Sequence, residues 1–208
     1  MKRWIVALVV SLVFAGALCA AGLFTPPEAG GQEAKSDGKY MGVEKCKKCH
    51  EAKAAGSQYS KWKETKHAKA WDALATDEAK KVAKEKGIDD PQKSDACVKC
   101  HVTGHGVDAA KFDKSFDPKL GIQCESCHGP AEKHIKARMA DEDEDEKSIH
   151  AKAQKEMPLP DMKTLCVKCH NADSPSIEKS TFWNKEKKEF DVEKAIKEIE
   201  HPNPKWHK

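Results

Sequence analysis

Four copies of one five-residue pattern, Cys-x-x-Cys-His, punctuate this sequence: Cys46/Cys49/His50, Cys97/Cys100/His101, Cys124/Cys127/His128 and Cys166/Cys169/His170. The pattern is the attachment signature of a c-type haem. Its spacing has a chemical reason. Two thiols three residues apart on a helical turn reach the two vinyl groups of one porphyrin and form thioethers. The adjacent histidine then lies beneath the iron and ligates it. One Cys-x-x-Cys is also half a zinc site or a thioredoxin-like redox pair. Zinc needs paired knuckles and does not require histidine after the second cysteine in all four copies, and structural disulfides do not repeat the spacing. The expectation is four covalently bound haems on eight cysteines.

That load constrains the fold. With 208 residues the chain fits one or at most two domains. Only 38% of residues are apolar and 34% are charged, too lean for an ordinary core. Four apolar macrocycles supply the missing interior, and the apoprotein is expected to be largely unfolded. The fold class expected is mainly α: a multihaem cytochrome c with a haem-packed core, short helices, long loops and little or no β.

Lys2 and Arg3 precede an uncharged run from Trp4 to Phe24, apolar to Phe14 and then rich in small residues. This is the layout of a secretory signal peptide, cleaved after Ala20 or Ala21. The run is also long enough to span a bilayer uncleaved, which leaves an N-terminal membrane anchor as the alternative. Cys19, the ninth cysteine, leaves with the signal. The organisation read is 1–21 signal peptide or anchor, 22–42 flexible linker and 43–208 tetrahaem domain. Export follows on haem grounds too, because c-type haem is attached outside the cytoplasmic membrane. The formal charge is +3, of which Lys2 and Arg3 supply two. Eight propionates make the holoprotein acidic. Lysines are dispersed rather than blocked together, so no nucleic-acid partner is suggested.

Ser57 to Leu74 places His67, Ala70, Trp71 and Leu74 at helical spacing, which predicts one helix with a face for a haem. Thr76 reads as the N-cap of a second helix that Gly87 stops. Gly129-Pro130 ends the short helix of the third motif. Glu132 to Met139 reads as helix, and Val192, Ile196 and Ile199 form the stripe of a last helix just before His201. No segment shows convincing period-two alternation. Asp141 to Glu146 is an acidic run, read as a solvated loop, with a docking patch for a basic partner as the other reading.

Beyond the four motif histidines stand His67, His105, His134, His150, His201 and His207, with Met41, Met139, Met157 and Met162 as further candidate ligands. Spacing alone does not pair them with irons. The segments Cys46-Lys47-Lys48-Cys49-His50, Trp62 to Ala70, Asp95 to Gly104, Gly121 to Pro130 and Phe190-Asp191 resemble the tetrahaem cytochrome c-554 family of ammonia-oxidising bacteria. The resemblance runs from about Lys45 to His201. It implies that His50 and His134 hold the first haem, His128 and His67 the third, and His170 and His201 the fourth. It implies a five-coordinate second haem on His101. His150, in a region where this chain departs from the family, is the alternative sixth ligand. His105, where the family has an aromatic residue, stays on the proximal side. The haems pack closely in pairs in that family.

The function implied is an exported electron carrier rather than an enzyme. A hydroxylamine-oxidoreductase-like protein is the donor and a membrane cytochrome or quinone-linked protein the acceptor. The alternatives are reduction of nitric oxide, nitrite or hydroxylamine at an open haem on His101, and a subunit of a larger respiratory complex.

Overall fold

The computed structural model describes residues 37–139, 145–158 and 161–201. These fall in one unit that begins at Gln32. The segments read as signal peptide, the first part of the linker, most of the acidic run and His207 lie outside the described residues. The secondary structure is mainly α with very little strand, as the sequence predicts. Helices α1 (Val43–His50), α2 (Gln58–Glu64), α3 (Ala70–Ala73), α4 (Asp77–Glu85) and α5 (Asp95–His101) come first. Then follow α6 (Glu125–His128), α7 (Glu132–Arg138), α8 (Glu146–Lys155) and α9 (Met162–Cys166). A hairpin of two-residue strands, β1 (Trp183–Asn184) and β2 (Glu189–Phe190), precedes α10 (Val192–Ile199).

Local chemistry sets most of these boundaries. The Thr76 hydroxyl caps α4 by accepting from the Ala79 amide, and Gly87, at φ +69°, follows its end. Gly129, at φ +78°, ends α6. Asp191 caps α10 through the Lys194 amide.

Two elements depart from the sequence reading. The helix expected over Ser57 to Leu74 is broken into α2 and α3. Thr65 turns extended, its hydroxyl donates to the Trp62 carbonyl at 2.7 Å, and the chain is tied sideways to residue 122. The Trp62 indole donates to the Ile122 carbonyl at 2.8 Å, and the Ile122 amide donates to the His67 carbonyl at 3.0 Å. These long-range bonds outcompete continuation of the helix. The end of the acidic run is structured rather than a loop. The Asp145 carboxylate accepts from the amides of Lys147 and Ser148 as the cap of α8. Glu146 sits in the first turn, where a negative charge suits the helix dipole, and pairs with Arg138 at 3.5 Å.

The last residues of the stretch read as linker are docked. Tyr40 forms a parallel bridge with Phe112 and lies against the rings of Phe112 and Phe116. The amides of Met41 and Gly42 donate to the Glu125 carboxylate at 2.7 and 2.8 Å, and the Val43 amide donates to Gln123 Oε1 at 2.8 Å. Ala131 gives Glu125 a third amide, at 2.8 Å. Thr103 bonds the Gly121 carbonyl, Ser126 and the Gln123 amide. Thr103, Gln123 and Glu125 are all at most 2% exposed. This buried polar brace ties the segments of the first three motifs together. The apolar core beside it is scattered: Val43, Tyr59, Leu74, Ile149, Ile177 and Trp183 belong to different elements.

Candidate haem-binding site

Each Cys-x-x-Cys-His begins on or near a short helix and ends with its histidine at the helix terminus or in the turn beyond it. Helices α1, α5 and α6 end on His50, His101 and His128, and α9 ends on Cys166, one turn before His170. One helical turn puts both cysteines and the histidine on one side, as attachment to a single macrocycle requires. The motifs lie close to one another through their thiols. The Cys46 thiol lies close enough to Cys124 to shift its proton affinity, and Cys100 stands in the same relation to Cys169. Cys127 lies near enough to Cys166 to feel its charge. The motifs therefore neighbour one another in the order first, third, fourth, second.

Three further histidines come close to motif histidines. The ring centres of His50 and His134 are 6.2 Å apart, those of His67 and His170 6.1 Å, and those of His128 and His201 5.8 Å. Metal–imidazole bonds of about 2 Å, with the ring centre roughly 1 Å beyond the nitrogen, put two trans imidazoles on one metal about 6 Å apart, centre to centre. The spacing thus fits an iron between each pair.

The rings are also oriented as ligands are. His134 Nδ1–H donates to the Ala153 carbonyl at 2.9 Å and His101 Nδ1–H to the Ala70 carbonyl at 2.6 Å, which leaves Nε2 of each for a metal. Burial holds His50, His67 and His170 below the usual imidazole value, and His128 at about 4. The neutral ring, the form that ligates iron, is favoured. Burial pushes the Cys127 thiol up to about 11. These features fit a covalently held haem at each motif.

The structure joins His50 with His134 but exchanges the other two distal residues relative to the pairing implied by resemblance. His67 comes to His170, not His128, and His201 comes to His128, not His170. The break between α2 and α3 accompanies the first: the His67 carbonyl accepts from the Ile122 and Ala70 amides, which fixes the backbone of this segment. His201 follows directly from α10 and its C-terminal Glu200. His105 is exposed and bonds Asp95 at 3.1 Å. His150, on α8, lies in the electrostatic neighbourhood of His50. Among the described residues, no second histidine ring faces His101.

Two supports were not read from the sequence. Ala153 acts through its backbone carbonyl, which side-chain patterns do not reveal. Phe190 stacks on His170 with ring centres 4.4 Å apart, and the aromatic character of the Phe182-Trp183…Phe190 cluster was its available signal.

Short helices around paired imidazoles, with thiols set for thioether bonds, define a multihaem c-type cytochrome. Residues 45–129 match the family described as cytochrome c554 and c-prime. The chain is 40% identical over 126 residues to cytochrome c-554 of Nitrosomonas europaea, which covers 58% of this chain and 50% of that protein. It is 30% identical over 129 residues to the multiheme cytochrome MtrA of Shewanella baltica, covering 57% of this chain and 35% of MtrA. The chain spans half or less of the length of these relatives. No solved structure matches. The chain thus resembles multihaem cytochromes of the c-554 family over somewhat more than half its length, a likeness that fits covalent attachment of c-type haem.

Proposed function

We propose that this chain is an exported tetrahaem electron carrier. Cys46/Cys49, Cys97/Cys100, Cys124/Cys127 and Cys166/Cys169 each anchor one haem. His50 and His134 hold the first iron, His128 and His201 the third, and His170 and His67 the fourth. His101 holds the second, with the sixth position open. When bound, the haem supplies a one-electron iron couple. The residues do the rest. Imidazole on both sides keeps the couple low in potential, because histidine in place of methionine lowers it. The backbone carbonyls of Ala70 and Ala153 fix the ring orientation. The adjacency of the motif cysteines supports a relay in the order first, third, fourth, second.

The observation that carries this reading is the set of three imidazole pairs with ring centres near 6 Å. The donor is a hydroxylamine-oxidoreductase-like protein and the acceptor a membrane cytochrome or quinone-linked protein, in keeping with the resemblance. Residues 1–21 act as export signal or anchor, and the domain proper includes the docked residues Tyr40 to Gly42. No helix among the described residues is long and apolar enough to cross a membrane.

A reductive titration of the holoprotein tests the carrier role. It should take up four electrons per chain reversibly, with no substrate consumed. Fewer than four, or uptake that is not reversed by an oxidant, contradicts it.

A second reading has its own observation. His101 meets no second histidine among the described residues, and a haem held there would be able to take a small ligand such as nitric oxide. A spectral shift of the high-spin component on adding nitric oxide supports access. A holoprotein with no high-spin component removes this reading.

A further inference from the structure

The hairpin and α10 form a continuous stretch that reaches two of the histidine pairs. Its far end delivers His201 to His128. Its near end places the Phe190 ring flat on the His170 ring, with planes only 12° apart. Phe190 is itself held. Phe182 meets it edge-on, with centres 6.0 Å apart and planes at 75°. Trp183 lies opposite it across the hairpin, is buried, and donates through Nε1 to Glu178 at 3.2 Å. The aromatic plate is therefore fixed from behind before it touches the imidazole.

Another motif histidine is fixed differently. His101 is oriented by a hydrogen bond from Nδ1 to a main-chain carbonyl, and distal His134 is held the same way. Among the described residues the His170 ring makes no hydrogen bond. An imidazole bound through Nε2 still turns about the metal–nitrogen axis unless something holds it, and a hydrogen bond at Nδ1 is the usual restraint. A flat aromatic contact supplies the same restraint by sterics, since turning the ring drives its edge into the plate.

The geometry points to Phe190 as a positioning residue that sets the rotation of the His170 imidazole, and with it the electronic character of the haem that His170 and His67 share. This rests on the reading of His170 as an axial ligand. The angle between two axial imidazoles governs how the iron d orbitals split, and the g values of low-spin ferric haem report that splitting. The planes of His67 and His170 stand 54° apart, against 42° for His128 and His201 and 29° for His50 and His134. The His67/His170 haem should therefore show the largest g anisotropy of the three.

Low-temperature EPR of the full holoprotein, of Phe190→Leu and of Phe190→Tyr tests this. In Phe190→Leu the largest g value of one low-spin signal should shift while the other two superimpose on the unaltered protein. Phe190→Tyr, which keeps the plate, should retain all three. Three unshifted signals in Phe190→Leu overturn the proposal. If Phe190→Leu yields no holoprotein, NMR of the fully reduced unaltered protein decides. Dipolar cross-peaks between the Phe190 and His170 rings are expected, and their absence overturns the proposal. Failure of the ligation reading would show separately, as the lack of three low-spin signals in the unaltered protein. With three present and Phe190→Leu silent, only the positioning role falls.

Discussion

Glu125 is the residue on which most of the fold's polar wiring converges. It lies between two haem-attaching cysteines, is 2% exposed, and accepts three backbone amides. Glu125→Gln keeps one oxygen but turns an amide group toward the Gly42 N–H, and should cost about 1–3 kcal/mol; Glu125→Ala orphans all three donors and should cost more. Denaturant unfolding of the holoprotein, followed at the Soret band, measures both. Burial raises the carboxyl's proton affinity more than the three amides lower it. The folded form thus binds the proton more tightly than the unfolded chain. The stability this raises is fully present below the unfolded pKa and is lost as pH rises through the folded one. The difference in stability between the unaltered protein and Glu125→Gln should shrink from pH 4 toward neutrality, and a flat difference contradicts this assignment. The four Cys-x-x-Cys-His motifs were legible in the sequence because their pattern is contained within five consecutive residues. The role of Glu125 was not, since two of its three amide partners lie more than 80 residues upstream.

At the scale of elements, positions of distal ligands depend on breaks and caps. The backbone beside His67 is crowded. A Cβ on Gly121 would meet the His67 carbonyl at 2.6 Å, and Gly121 stands at φ +71°. Gly121→Ala combines that clash with a left-handed backbone that costs about 1 kcal/mol or more for a residue with a side chain. It should displace His67 and convert the haem on Cys166/Cys169 to a high-spin form, visible as a gain in the high-spin EPR signal. On the opposite side, Asp145→Ala removes the cap of α8 and should cost about 1 kcal/mol. Because α8 carries the Ala153 carbonyl that orients His134, the same variant should perturb the haem of His50 and leave the other signals in place. Helix α4, its Thr76 cap and the stripe of α10 were legible, since capping and periodicity act within a few residues. The break at Thr65, the cap at Asp145 and the exchange of His67 with His201 were not. Each depends on contacts across the chain, and an acidic run reads as solvent-facing whether or not its last two residues start a helix.

For the molecule as a whole, the polypeptide supplies braces and ligands but little continuous apolar interior. Val43, Leu74, Ile149 and Trp183 are buried on separate elements rather than in one layer. Expression without haem attachment should therefore give a chain with little ordered helix and no cooperative melting transition by circular dichroism. A cooperative, native-like apoprotein contradicts the haem-filled core. The mainly α class was legible because short helices ending in Cys-x-x-Cys-His leave little room for sheet. The order in which the motifs neighbour one another was not, as it arises from thiols more than 35 residues apart, such as Cys127 and Cys166. Spin quantification by low-temperature EPR on the oxidised holoprotein, normalised to the haem content per chain, tests the central claim most directly. The account predicts four haems, three low-spin from the imidazole pairs and one high-spin on His101. Four low-spin haems, or fewer than three, would contradict it.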